Sequence, residues 1–354
     1  MKILVICPRR VGDVFLATSV IHALRSRYPN AQLDILVFGG TEAGVLSNQE
    51  VDNVISMPMR GSFGLHLRLI LQHYRRYDIS ISLLPGDRPV LYAWLMGKKR
   101  YGTLITNKKS FWKKWALHNW VEFDGLRRHT LVMYHDIVAD LVDGSKIAPQ
   151  ISEHLMEEET QIALFKHWVY KNRYVVMHLT PKFKYKEWPL SKWKSLIEAC
   201  LEHDLGIVLT GMFDERTLDA LKGLYADDPR VLNLLNQTSI DELIKIIRSA
   251  NCYVGTDTAV THMASATGIP TIAIFGPSSP LVWGPWPKGY FGGASAWSQI
   301  GSQTVGNVTL IQGLGLCVPC LQEGCSRQVN SVSDCLVELD PSRVLQAILS
   351  CLER

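Results

Sequence analysis

The first residues able to do chemistry are Gly12-Asp13, which follow the apolar run Ile3 to Cys7 and open a helical apolar repeat. A carboxylate there lies where free N–H groups and the helix dipole stabilise negative charge. Asp13 is therefore either a simple helix cap or a general base able to take a proton from a hydroxyl. The loop lacks GxGxxG, so it is not the pyrophosphate clamp of a dinucleotide site.

A second stretch reads His178-Leu179-Thr180-Pro181-Lys182, with Lys184, Lys186 and Trp188-Pro189 beyond it. A hydroxyl and lysines at the end of a buried strand, just ahead of a helix, suit a diphosphate. A solvated surface loop is the plainer reading of the lysines alone. The third stretch runs from Gly255-Thr256-Asp257-Thr258-Ala259 to His262, and continues to Gly268-Ile269-Pro270 and Phe275-Gly276-Pro277. Polar residues that open a helix at a strand end let backbone N–H groups receive an anion. Asp257 suits ribose hydroxyls, and His262, one turn in, could reach phosphate or sugar or simply be packed. Of eight cysteines, Cys317, Cys320, Cys325 and Cys335 cluster in one stretch. Their spacing fits no standard zinc pattern, so reduced thiols in a loop are favoured over a structural metal.

Both halves of the chain place these stretches by the same grammar. Short apolar runs alternate with helical repeats: strands at 2–7, 33–38, 54–57 and 79–84 in the first half, and at 174–179, 206–210, 252–254 and 271–275 in the second. Such alternation implies an α/β chain with parallel, doubly wound sheets covered on both faces. Two Rossmann-like domains facing a central cleft are expected, with ligands at the carboxyl ends of the strands. The domains are placed at 1–160 and 173–340, with a boundary near 155–172 in the charged stretch from Glu153 to Arg173. Residues 341–354 form a C-terminal helix that could pack back toward the N-terminal domain.

Hydrophobic residues make up 47% of the chain and charged residues 20%, as in a globular protein, and the net charge of +4 marks no nucleic-acid partner. The apolar N-terminal run is too short for a signal peptide. No apolar stretch approaches the roughly 18 residues of a membrane span. The chain is expected in the cytoplasm, against a membrane. Gly97-Lys98-Lys99-Arg100-Tyr101 and the run Lys108, Lys109, Phe111, Trp112, Lys113, Lys114, Trp115 interleave basic and aromatic residues, which suits an anionic interface or an acidic acceptor.

Gly-Asp-Val near the start, Thr-Pro…Lys-x-Trp-Pro, and Asp-Thr-x-x-x-His-x-Ala-x-Ala-x-Gly-x-Pro-Thr followed by Phe-Gly-Pro together resemble the bacterial heptosyltransferases of lipopolysaccharide core assembly. These are glycosyltransferase family 9 enzymes of GT-B fold. The likeness runs through nearly the whole chain, including the clustered cysteines. Trp283-x-x-Trp286 and Phe111-Trp112 are most similar to the branch that adds the second or third heptose.

The resemblance implies a role for each position. Asp13 matches the catalytic base, Thr180 and Lys186 the diphosphate contacts, and Thr258 and His262 the pyrophosphate and sugar contacts. Asp257 matches a residue at the donor heptose or ribose, and Glu215 an acidic residue near the nucleoside. Lys182 would help Lys186 stabilise the leaving group. Ala259 departs from the family's usual Gly, and its methyl group would crowd the diphosphate. The implied reaction is an inverting transfer of heptose from ADP-heptose, a substrate and not a cofactor, to a heptose of the lipopolysaccharide inner core at the inner membrane. No metal is required. A GT-B enzyme using another nucleotide sugar is the nearest alternative. An NAD-dependent oxidoreductase would need a glycine fingerprint after the first strand, and a non-catalytic binding protein would not need Asp13.

Overall fold

The structure, a computed structural model, describes the chain apart from residues 107–109, 143–146, 169, 172, 224 and 354, and apart from the side chains of 220 and 222. Two compact units emerge: residues 1–152 with 291–295, and residues 153–290 with 296–354.

The first unit runs β1 (Lys2–Ile6), α1 (Val11–Arg27), β2 (Gln32–Phe38), β3 (Asn53–Met57), α2 (Phe63–His73), β4 (Tyr77–Ser82), α3 (Asp87–Met96), β5 (Gly97–Leu104), α4 (Phe111–Ala116), β6 (Asn119–Glu122) and α5 (Thr130–Val138). Its strands form one parallel six-stranded sheet in the order β3-β2-β1-β4-β5-β6. The chain turns from one half of the sheet to the other between β1 and β4. Ile3 to Ile6 are fully buried, as expected of a strand covered on both faces. α1 is buried over most of its length, from Asp13 to Leu24, and its buried Thr18 and Ser19 satisfy their hydroxyls on the Phe15 and Leu16 carbonyls. α2, α3 and α4 all pack onto a single core cluster that includes Leu4, Ile6, Leu36 and Tyr92.

Two local expectations change here. α1 begins at Val11 and its N-cap is Arg10, so Asp13 lies in the first turn of the helix and is not its cap. The basic stretch Gly97 to Tyr101 is the start of β5, because Tyr101 to Leu104 beyond it are buried between β4 and β6. Its charges are partly engaged: Lys98 pairs with Asp78 at 2.9 Å, and Arg100 contacts the His118 ring at 3.2 Å.

The second unit starts with two short helices, α6 (Glu153–Glu157) and α7 (Ala163–Lys166). It continues with β7 (Tyr174–His178), α8 (Leu190–Glu202), β8 (Gly206–Thr210), α9 (Glu215–Lys222), β9 (Val231–Asn233), α10 (Ile240–Arg248), β10 (Cys252–Thr256), α11 (Ala259–Thr267), β11 (Thr271–Phe275), α12 (Pro280–Trp283), β12 (Gln303–Val305), β13 (Val308–Gln312), α13 (Asp334–Val337) and α14 (Pro341–Leu352). The sheet order is β12-β13-β11-β10-β7-β8-β9, parallel except for the antiparallel β12–β13 edge. Three-residue strands stand at both rims. The order reverses between β7 and β10, so the loops after those strands flank the crevice where ligands of such sheets bind. The C-terminal helix α14 gives Val344 and Ile348 to the core of this second unit, against α8.

Candidate functional site

At the switch point of the second sheet, the loop after β7 carries Lys186 on a short 3₁₀ turn, and the loop after β10 carries Asp257. The Lys186 ammonium donates to the Asp257 carboxylate at 2.5 Å. Burial raises the Asp257 pKa, but the Lys186 charge and hydrogen bond, with a further bond from Ser278, outweigh it and hold the carboxyl below its ordinary range. The result is an ionised pair with little access to water, next to a helix N-terminus.

That helix is α11. Thr258 caps it, its hydroxyl accepting from Thr261 N–H at 3.3 Å, and Gly268 closes the far end at φ 95°. Thr261 is fixed in turn, donating its hydroxyl to the Thr256 carbonyl and lying 3.1 Å from the Tyr253 hydroxyl. Ala259 is the first helical residue and is half-buried. His262 follows one turn in, and burial pushes its pKa down to about 4 despite the opposing pull of Asp257. Its ring is therefore neutral near pH 7, and its buried Nδ1 has no hydrogen-bond partner among the described residues. A buried polar atom left open beside a charged pair is a place for a ligand atom or water.

Thr180 ties the β7 loop to the β8 loop, its hydroxyl accepting from Met212 N–H at 2.8 Å. Gly211, at φ 143°, makes this approach possible, since a Cβ there would lie 2.6 Å from the Thr180 hydroxyl. Asn236 holds the same loop from the other side, accepting from Phe213 N–H and donating to its carbonyl, each at 2.8 Å. Lys182 is exposed at the mouth of the loop. Glu215 is exposed at the first position of α9, one residue past the Asp214 cap.

In the first unit, Asp13 lies at the corresponding switch point, after β1. It is buried in the first turn of α1, with the Arg9 guanidinium 3.5 Å away. The cap position belongs to Arg10, so N-capping does not account for Asp13. Cys7 and Tyr134 form the floor: the thiol lies 3.7 Å from the Asp13 carbonyl and 3.9 Å from the Tyr134 hydroxyl. Burial first, and then the Asp13 charge, push the Cys7 thiol far above its usual range, so it stays protonated. Gly44 packs onto this turn, where a Cβ would lie 2.6 Å from the Val11 carbonyl.

The residues expected at a basic surface divide. Lys113 is turned inward, bonding the Pro85 carbonyl at 2.7 Å and Asp87 at 2.8 Å, and so anchors the start of α3. Trp112 packs against the core of the first unit. Lys114 is exposed and lies over the Trp120 ring at 5.1 Å. Lys108 and Lys109 lie outside the described residues. Among the described residues no group of three or more His, Cys, Asp or Glu is arranged to hold a metal, and no helix is long and apolar enough to cross a membrane. Cys317 and Cys325 are exposed, Cys320 is half-buried and Cys335 is buried.

Sequence reasoning missed three features of this site. One is that Lys186 and Asp257 bind each other. The others are Gly211 and Asn236, which shape the β8 loop. A glycine directly after the strand Gly206–Thr210 was the available signal for the second; nothing local announces the ion pair across 71 positions.

Each of the two units is thus a Rossmann-type sheet with polar groups at its switch point, the place where such sheets bind ligands. The family model for glycosyltransferase family 9 (heptosyltransferase) matches residues 91–296, and the chain belongs to that family. It is 25% identical over 290 residues to lipopolysaccharide heptosyltransferase 3 of Escherichia coli, covering 78% of this chain and 83% of that one. It is 24% identical over 303 residues to lipooligosaccharide heptosyltransferase 2 of Haemophilus influenzae, covering 79% and 84%. Its fold matches the structure of E. coli ADP-heptose lps heptosyltransferase II with a TM-score of 0.71 at 20% identity, over 100% of this chain and 99% of that one. It also matches E. coli heptosyltransferase WaaC with ADP-2-deoxy-2-fluoro heptose, with a TM-score of 0.71 at 15% identity, over 99% of each chain.

Proposed function

We propose that the protein transfers L-glycero-D-manno-heptose from ADP-heptose to a heptose of the lipopolysaccharide inner core, with inversion at the anomeric carbon. The observation that carries this reading is the Lys186–Asp257 pair beside the open Nδ1 of His262 at the N-terminus of α11. A diphosphate needs positive charge and N–H donors, and a sugar needs a fixed acceptor and donor nearby; this crevice offers both. Residues 173–340 take the nucleotide sugar and residues 1–160 the acceptor.

In the reaction Asp13 removes the proton of an acceptor hydroxyl as that oxygen bonds to the anomeric carbon and ADP departs. Lys186, Lys182, Thr180 and the N–H groups after Thr258 stabilise the charge that grows on the diphosphate. Asp257 and His262 hold sugar or ribose hydroxyls, Ala259 lines the diphosphate approach, and Glu215 lies toward the nucleoside. Charge neutralisation by these groups leaves no step that requires a metal. The acceptor is lipid-linked, and Lys108, Lys109 and Lys114 serve its phosphates or the inner-membrane surface, while Trp112 is held by the core.

The test is transfer from purified ADP-heptose to truncated cores bearing one or two heptoses, followed by ADP release and product mass. An added heptose establishes the reaction, and the core that accepts it fixes the position built. ADP binding without transfer would discard the heptose assignment, and a panel of other sugar nucleotides would then find the donor.

A further inference from the structure

The helices on one face of the first unit expose more apolar surface than packing requires. α2 turns His66, Leu69, Ile70 and His73 inward, with His66 bonded to the Tyr92 hydroxyl at 2.7 Å. The side chains of Phe63, Leu67 and Leu71, four residues apart and so on one stripe, are left 80%, 41% and 66% exposed. On α4, Phe111 and Trp115 repeat the pattern at 81% and 71%. α2, α3 and α4 pack on the same core cluster, and Trp94 of α3 meets Trp115 edge-on at 5.4 Å, so these exposed side chains belong to one layer. Soluble proteins leave such residues exposed singly, and rarely as a group.

The charge of this layer names its partner. Pro58 to Arg76 and Ser110 to Trp115, which carry α2 and α4, hold six Lys and Arg and no Asp or Glu. The one acid on α3, Asp87, is paired with Lys113. Apolar side chains set among an excess of cations suit a surface with acyl chains beneath anionic phosphates. A second copy of the chain would bring like charges together.

We propose that the outer surface of α2–α4 is a membrane-docking face, in which Phe63, Leu67, Leu71, Phe111 and Trp115 enter the headgroup–acyl boundary of an anionic bilayer. Arg68, Arg76 and Lys114 contact lipid phosphates. This rests on the proposed lipid-linked acceptor and adds to it the inserting element: α2 is the keel and the basic residues are the guide.

The experiment is sedimentation of the full chain with vesicles of phosphatidylglycerol and phosphatidylethanolamine, against vesicles of phosphatidylcholine alone. The parent binds the anionic vesicles and not the neutral ones. The variant Phe63→Ser/Leu67→Ser/Leu71→Ser loses binding by roughly a hundredfold, as expected from removing three inserted side chains, while keeping its turnover on a water-soluble short acceptor. Leu67→Ser alone, a single exposed change, gives a smaller loss in the same direction if the triple variant folds poorly. Undiminished vesicle binding by these variants, equal binding to neutral vesicles, or self-association of the parent through this face would overturn the proposal. Failure of the parent to move heptose onto the soluble acceptor would sink the reaction assigned above and leave the vesicle result to be read by itself.

Discussion

Lys186 and Asp257, 71 residues apart in sequence, meet at 2.5 Å across the point where the second sheet reverses its strand order. The carboxylate is 7% exposed and the ammonium 21%, so the pair is mostly out of water. Each residue thereby fixes the other at the place proposed for the diphosphate and its sugar. Removing either one alone strands its partner, and this makes the pair separable into stability and binding.

Lys186→Ala should therefore cost stability as well as donor affinity. An unpaired buried carboxylate is expensive, and after allowing for the partial exposure of the lysine the loss should be about 2 kcal/mol. The double variant Lys186→Ala/Asp257→Asn should regain most of that stability and still bind ADP weakly. Thermal unfolding and ADP titration of both variants check this. A single variant as stable as the parent would show that the pair contributes no net stability.

As the proposed base, Asp13 should matter to turnover and hardly at all to ADP. Asp13→Asn keeps the shape of the first turn of α1 and should lower kcat by about 10²–10⁴-fold, with ADP affinity unchanged by calorimetry. Loss of turnover and nucleotide binding together would assign Asp13 a structural role.

The basic residues around α4 should respond in two ways. Lys113→Ala removes the donor to the Pro85 carbonyl and should lower stability by about 1 kcal/mol, with little change in acceptor KM. Asp87 is largely exposed, so its loss of a partner adds little. Lys114→Ala, at an exposed position, should raise acceptor KM and leave the melting temperature alone. The reverse assignment of the two effects would contradict the orientation of Lys113.

Acid should unfold the protein through its buried imidazoles. Burial holds His135, His178 and His262 at about 4, against 6.5 for an ordinary histidine. The unfolded chain takes up these protons first, so the stability tied to the neutral rings is complete above pH 6.5 and is lost as the pH falls toward 4. Between those limits each ring contributes a slope of up to about 1.4 kcal/mol per pH unit. Urea midpoints at pH 7 and pH 5 measure the fall, and His135→Gln should flatten it. An unchanged midpoint would mean that these rings are already protonated in the fold.

The elements that the sequence showed clearly are those with signals at both ends. α11 falls on Ala259–Thr267 as expected, because Thr258 caps it and Gly268 stops it. The doubly wound grammar was equally plain, since β1, β7 and β11 are buried apolar runs. β5 was hidden because Lys98, Lys99 and Arg100 occupy its exposed first half, and only the buried half from Tyr101 has a strand's apolar character. The edge strands β9 and β12 are too short to show a period. At the site, residue types and strand-end positions were legible one loop at a time. Which loops meet depends on strand order, and that comes from long-range packing that no local window contains.

The short rims of the second sheet also limit what it can offer to a neighbouring chain. An edge strand offers unpaired N–H and C=O groups to any passing chain, and the risk grows with its length. Here the sheet ends at Val231–Asn233 on one side and Gln303–Val305 on the other, each a ribbon of three residues. Either rim can offer a neighbour only a brief ladder, which lowers the risk of pairing. The seven-stranded sheet thus presents little unpaired backbone at either edge, whatever ligand its switch point takes.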